Sequence, residues 1–396
     1  MKNILLLSEH YAPKISGTVA YVKQLLAVLP DDNLQLYFLC PVQGDVGEMK
    51  AFFDAEQKVT FLQLGVNQNE PPQYTAAERN VLCDFVKTEL PTLTRKYNID
   101  IVHLLYGFFL AEIVDTTFLR TNKIKSLFTV HNIPPEECSI SWSGDLFWRK
   151  WKDDVRKLGV GWINRRRLKK QRFDTYIVPS EQVKQQVLSI LPSSTVVVTP
   201  HGGAELITAP QKRGVVKGEK IKILTVGGVI PHKRQDWIPE IASFLKKEGL
   251  DFEWNIVGPK RNQNYAQYVA KQIEKKEVGA VVNLLGAVTP DQLKKIYVES
   301  QLYIQLSREE GFCMTVLDAV AYGLPVMATP VGAIPEMLEK VNGVLLDPYI
   351  ENIKKVVLHY VTIHDNLYVS DAQLAAFKDE YNWTETANKL LKAYRS

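Results

Sequence analysis

The residues of this chain best suited to chemistry lie in the stretch 307–335, which reads SREEGFCMTVLDAVAYGLPVMATPVGAIP. Glu310 precedes a Gly-Phe corner, and Asp318 falls more than one turn into the apolar helix that follows. A helix that opens just after a strand turns unpaired N–H groups and a positive dipole end outward, which suits an anion and above all a phosphate. The amides of Cys313, Met314 and Thr315 are the donors at that position. Carboxylates on either side cannot serve the phosphate itself, because like charges repel. They suit hydroxyl-rich groups flanking it, such as a sugar and a ribose. A plainer reading stands beside this one: Asp318 shares a helix face with Thr315 and Tyr322 and could face water, while Glu309 and Glu310 could be an ordinary acidic helix start.

Other candidate residues also follow predicted strands. The run GGVIPHKR (227–234) puts Lys233 and Arg234 after a Gly-rich turn, where backbone amides close in on a diphosphate and cations balance its charge. Cations at a helix start oppose the dipole, which suggests that an anion is expected there. Gly17 opens a helix after the first strand, so a phosphate could approach its backbone closely; by itself it reads equally as a turn. His131 follows the strand 125–131 and is of a type that exchanges protons near neutral pH; the alternative is a hydrogen-bonded turn histidine.

The elements that must position these residues alternate. Strands are predicted at 4–8, 34–40, 59–64, 100–105, 125–131, 175–178 and 196–199, with helices at 19–29, 76–97, 108–119, 146–172 and 180–191. A polar stretch, 207–219, breaks the pattern and reads as a linker. Alternation resumes with strands at 221–226, 252–257, 281–285, 302–306, 326–329 and 343–346, helices at 238–247, 265–276 and 290–299, and a helical tail from 350. Such alternation implies α/β architecture, with two doubly wound, Rossmann-like domains facing a cleft: 1–206, and 207–379. Ligands bind such sheets at the carboxyl ends of strands, where the residues above fall.

Composition narrows the classes. The chain has 396 residues and a net charge of +4, so it is not a polyanion binder overall, and nucleic acid has no motif support. Cys40, Cys83, Cys138 and Cys313 show no C-x-x-C spacing, so neither a zinc site nor a redox pair is implied. The apolar run 4–7 is too short for a signal peptide, and no stretch has the length of a membrane span, so the expected location is the cytoplasm. The segment 149–172 carries eleven Lys or Arg and two Asp, including Arg149, Lys152, Arg165, Arg166 and Arg167, with Trp151 and Trp162 interleaved. It suits peripheral contact with the inner face of a membrane carrying a lipid-linked acceptor, docking of an acidic partner protein, or a solvated helix whose aromatic residues pack inward.

Taken together, these motifs resemble the retaining GT-B-fold glycosyltransferases of family 4, the glycosyl transferases group 1. Glu310-Gly311-Phe312-Cys313 through Asp318-Ala319, Ala321, Gly323 and Pro325-Val326 is similar to the family's E-x7-E stretch, and Gly332 to Glu336 to its G-x-x-E element. Pro13 to Gly17, His131, Val226-Gly227 with Lys233, Asp174 with Ser180, and Tyr381 to Ala387 resemble further family elements. The resemblance implies transfer of a hexose-type sugar from a nucleotide-diphosphate sugar to a glycan, lipid-linked or protein acceptor, with retention of configuration and without a metal or other cofactor. It implies that Lys233, the Gly17 loop and the helix amides hold the diphosphate. Asp318 would take the ribose, and Glu310 and His131 the donor sugar. It also implies that the last helix, 380–396, crosses back onto the first domain. Three departures stand out: Asp318 where the family has Glu, Gly228 where it has a phosphate-binding Arg, and Cys313 where Gly is common. They raise the alternative of a non-catalytic subunit that stabilises a partner glycosyltransferase.

Overall fold

The computed structural model describes residues 1–8, 17–29, 33–40, 59–63, 76–133, 162–170, 172–203, 219–363 and 369–396. All but the last residue of the predicted linker, the loop 9–16 and most of the basic segment lie outside them. The chain divides into two compact units, Met1–His201 with Trp383–Ser396, and Gly202–Asn382.

The first unit runs β1 (Lys2–Ser8), α1 (Gly17–Val28), β2 (Leu34–Cys40), β3 (Val59–Gln63), α2 (Ala76–Lys96), β4 (Ile101–Tyr106), α3 (Phe108–Ile113), α4 (Thr116–Thr121), β5 (Lys125–Thr129), a helix α5 over 162–170, β6 (Thr175–Val178), α6 (Glu181–Ile190) and β7 (Val196–Val198). Its sheet has the order β3-β2-β1-β4-β5-β6-β7, with every pairing parallel. The single helix expected at 108–119 is two. Val114 turns extended, and the Asp115 carboxylate accepts from the amides of Thr117 and Phe118, starting a new helix. Asp174 accepts from both the amide and the hydroxyl of Ser126 at 2.8 Å, tying β6 to β5, and Ser180 caps α6. These two family-like residues therefore serve the fold.

The second unit runs β8 (Ile221–Val226), two single 3-10 turns (Pro231–Lys233 and Gln235–Trp237), α7 (Ile238–Lys247), β9 (Phe252–Val257), α8 (Gln263–Lys275), β10 (Val282–Gly286), α9 (Pro290–Glu299), β11 (Leu302–Gln305), α10 (Met314–Ala321), β12 (Val326–Ala328), α11 (Ile334–Lys340), β13 (Val344–Leu345), α12 (Ile350–Ile363) and α13 (Asp371–Glu380). Its sheet, β10-β9-β8-β11-β12-β13, is again parallel throughout. Strand periodicity divides its core into two layers. Leu302, Ile304 and Leu306 pack with α7, α8 and α12, whereas Tyr303 packs with α10, α11 and α13.

The last helix, α14 (Trp383–Arg395), groups with the first unit. Thr386 donates to the carbonyl of Pro200 at 2.8 Å, and the lysines of β1 and β5, Lys2 and Lys125, donate to the carbonyls of Tyr394 and Ala393. Cations on the last carbonyls also complement the helix dipole.

Candidate functional site

In both sheets the strand order reverses once, between β1 and β4 and between β8 and β11. Ligands of open parallel sheets bind beyond the strand ends at such a point. In the second unit the chain beyond β8 is Gly227–Lys233 and beyond β11 is Leu306–Cys313. The Arg308 amide donates to the carbonyl of His232 at 2.7 Å, joining the two loops.

Lys233 and Glu310 meet there. Lys233 Nζ donates to Glu310 Oε1 at 2.5 Å, and the two side chains are 13% and 11% exposed, so the pair is largely desolvated. Burial disfavours both charges, yet the attraction wins on each side: Lys233 is held above and Glu310 below its ordinary pKa. Ser307 Oγ donates to the same Glu310 oxygen at 2.7 Å. Both bonds fall on Oε1. Among the described residues no hydrogen bond reaches Oε2, which leaves it able to accept from a hydroxyl.

Behind Glu310 lies a chain of buried polar groups that the sequence reading missed. The Tyr303 hydroxyl donates to Gln305 Oε1 at 2.8 Å, and Gln305 Nε2 donates to Ser307 Oγ at 2.7 Å. Thr329 Oγ1 donates to the Ser307 carbonyl at 2.5 Å. Tyr303, Gln305, Ser307 and Thr329 are all fully buried. Residues at alternate positions share one strand face, so Tyr303, Gln305 and Ser307 point the same way and end at Glu310. A satisfied buried network fixes a side chain, since any broken member leaves an unpaired polar group. The signal was in the sequence: LYIQLS alternates apolar and polar residues in a strand otherwise read as uniformly buried.

The helix expected after Glu310 begins at Met314, with Cys313 as its N-cap in the left-handed region (φ 75) and no side-chain cap bond. That φ explains why glycine suits position 313. The Cys313 thiol is buried and its pKa is pushed up to about 12, so it stays a neutral thiol. Neither Glu309 nor Glu310 lies in the helix, which removes the acidic-helix-start reading. Gly332 closes the turn from behind. A Cβ there would lie 2.7 Å from the carbonyl oxygens of both Glu310 and Gly311, and its φ is +61. Asp318 sits on α10 beside the stacked rings of Tyr297 and Tyr322, 4.8 Å apart. Its carboxyl is partly buried, receives no hydrogen bond from the described residues, and has its pKa raised by burial to about 7. It does not simply face water.

Arg234, expected to hold the diphosphate beside Lys233, has a left-handed backbone, and its guanidinium stacks on the Trp237 ring at 4.4 Å. Burial, then Arg308, lowers its pKa to about 10. His131 was expected to exchange a proton near neutral pH. In the first unit it is packed among the rings of Tyr21, Tyr106 and His201, and burial lowers its pKa to about 4, so it is neutral at pH 7. Its Nε2 lies 2.9 Å from the Leu105 carbonyl, which can only accept, so Nε2 carries the hydrogen and Nδ1 is the acceptor.

The remaining predicted residues fall as follows. Gly17 is the first residue of α1, in the first unit with His131. Arg149 and Lys152 lie outside the described residues. Arg165, Arg166 and Arg167 are on α5. Arg167 pairs with Glu112 at 2.9 Å, as does Lys170 at 3.1 Å, so part of the basic face is spent within the fold. Arg166 lies over the ring of Trp162, which is 62% exposed rather than packed inward. Among the described residues, no group of three or more His, Cys, Asp or Glu could hold a metal, and no helix is long and apolar enough to cross a membrane.

Two parallel Rossmann-like sheets, with a closing helix returned to the first unit, define a GT-B fold. Residues 207–365 match the family described as glycosyl transferases group 1. A human phosphatidylinositol N-acetylglucosaminyltransferase subunit is 22% identical over 99% of this chain and 75% of its own length. Among solved structures, sucrose-phosphate synthase from Thermosynechococcus elongatus superposes with a TM-score of 0.74 at 16% identity, covering 100% of this chain and 98% of that one. HepE of Anabaena, in complex with UDP and glucose, gives 0.70 at 14% identity and covers all of both chains. These structural likenesses establish the fold.

Proposed function

We propose that this chain is a glycosyltransferase that moves a hexose-type sugar from a nucleotide-diphosphate sugar to a glycan, lipid-linked or protein acceptor with retention of configuration, and that it needs no metal. The observation that carries this is the Lys233–Glu310 ion pair beyond β8 and β11, beside the start of α10. As the bond between sugar and diphosphate breaks, negative charge grows on the leaving group. Fixed cations and amides aimed at it stabilise the transition state more than the ground state. Lys233 and the amides of Met314 and Thr315 fill that role in this reading, in place of a metal. Glu310, held by Lys233 and Ser307, offers Oε2 to a donor-sugar hydroxyl, and Asp318 accepts from the ribose. His131 offers Nδ1 as an acceptor to the sugar, and Gly17 lets a phosphate approach α1.

The UDP bound to HepE makes UDP-sugars the first donors to test. A lipid-linked acceptor at the cytoplasmic face of a membrane is favoured by the relative that carries phosphatidylinositol in its name and by the exposed Trp162 and Ile163 next to Arg166. That relative is one subunit of its enzyme by name, which favours a partner protein. The test is a thermal-shift panel of UDP-, GDP-, ADP- and dTDP-sugars in the presence of EDTA. A ligand at 100 times its Kd adds about 2.7 kcal/mol to stability. A raised melting temperature with one donor, lost in Lys233→Ala, supports the reading. No shift with any donor refutes it.

A further inference from the structure

The two glycines after β8 carry two cations, only one of which is Lys233. A Cβ built on Gly227 would lie 3.5 Å from Cε and 3.8 Å from Nζ of Lys233, so the lysine stem crosses that glycine. A Cβ built on Gly228 would lie 3.1 Å from Cδ and 3.5 Å from Nε of Arg261, so the Arg261 stem crosses the next one. Arg261 comes from the turn between β9 and α8. That turn is stitched to the glycine loop: the Val229 amide donates to the Pro259 carbonyl at 2.9 Å, and the Asn262 amide to the Val229 carbonyl at 3.3 Å. Gly258 allows this approach, since a Cβ there would collide with the Gly227 carbonyl. Arg261 is exposed overall, yet its charge is near enough to act on Lys233, against the stronger pull of Glu310.

Charge balance gives this geometry a purpose. Lys233 is matched one to one by Glu310, so that pair is neutral as a unit. A diphosphate leaving group carries at least two negative charges, so a neutral pair alone leaves it unbalanced. The neighbouring cation seated on the same glycine floor is Arg261, and a guanidinium fork suits phosphate oxygens.

We propose that Arg261 is a ligand of the donor diphosphate, seated across Gly228 as Lys233 is seated across Gly227. The proposal rests on the nucleotide-sugar reading above. It predicts a division of labour within the loop: Gly228 is small because the arginine arrives from another turn.

The test is calorimetric titration of the full chain with UDP, GDP, ADP and dTDP, each beside its own nucleoside. For the diphosphate that binds, Arg261→Gln should weaken affinity about 10- to 100-fold and leave the nucleoside affinity unchanged, as expected for one lost charge-assisted contact. Gly228→Arg in the Arg261→Ala background should restore most of the loss, because Gly228 has an ordinary φ and the space is then vacant. If the unmodified protein binds a diphosphate and Arg261→Gln binds it equally, the Arg261 assignment is overturned while the donor site stands. Equal weakening for the diphosphate and the nucleoside overturns it as well. If the unmodified protein binds no diphosphate at millimolar concentration, the donor-site reading falls and takes this one with it. A melting temperature unchanged in Arg261→Gln confirms that the variant is folded.

Discussion

Replacing Asp318 by Asn should stabilise the second unit at neutral and alkaline pH, although it removes a residue assigned to the ribose. The Asp318 carboxyl is raised by burial from 3.8 to about 7. Below pH 3.8 it is protonated in both folded and unfolded chains and has no effect on stability. Between 3.8 and 7 the folded form keeps a proton that the unfolded form releases, so stability falls as pH rises, and above 7 the full cost applies. That cost is at most ~4 kcal/mol, and about 2–4 kcal/mol once water at the partly exposed side is allowed for. Asn keeps the shape without the charge. Calorimetric unfolding should therefore find the two proteins equal near pH 4 and the Asn variant more stable by that margin at pH 8. Calorimetry is the suitable assay because a two-unit chain need not unfold in one step. A difference that does not grow with pH, or an Asn variant less stable at pH 8, refutes the assignment of a buried, unpartnered carboxyl.

Lys233→Ala should cost about 3–5 kcal/mol of stability by leaving Glu310 desolvated without its partner, and adding Glu310→Gln should recover most of it; chemical denaturation of the single and double variants checks both. Ser307→Ala should cost about 1–3 kcal/mol by the same assay, because it strands Gln305 Nε2 and withdraws one of the two bonds on Glu310 Oε1. Gly332→Ala should destabilise by more than about 2 kcal/mol, since its Cβ meets two backbone carbonyls at positive φ, whereas Gly228→Ala should cost under about 1 kcal/mol because it meets only the flexible Arg261 stem.

The parallel α/β order was legible because buried strands and amphipathic helices carry different periods, and because the loops after β8 and β11 are marked by glycines beside charges. Lys233, Glu310 and Asp318 could be picked out for that reason. Their individual states could not. Whether Asp318 faces water or an aromatic stack depends on Tyr297, from a helix some twenty residues away in sequence. Arg234 and Lys233 are adjacent in sequence, and only the left-handed backbone at Arg234 sends one to Trp237 and the other to Glu310. Arg261 carried no local signal, because its significance depends on parallel pairing of β8 with β9, which brings its turn against Gly228. The His131 tautomer was likewise hidden, being set by a carbonyl of the neighbouring strand β4. The helix break at Asp115 was a missed cap rather than a hidden contact: an Asp two residues before Thr117 is a readable start signal.

The central claim is that Glu310 is held by Lys233 to act on the sugar of a nucleotide-diphosphate donor. It is tested most directly by release of nucleoside diphosphate from the donor that raises the melting temperature, measured for the unmodified protein and for Glu310→Gln. The account predicts release by the unmodified protein, and a fall in kcat of at least about 100-fold in Glu310→Gln with donor affinity changed only a few-fold, as for an interaction made chiefly in the transition state. Release at an undiminished rate in Glu310→Gln, or no release from any donor by the unmodified protein, would contradict it.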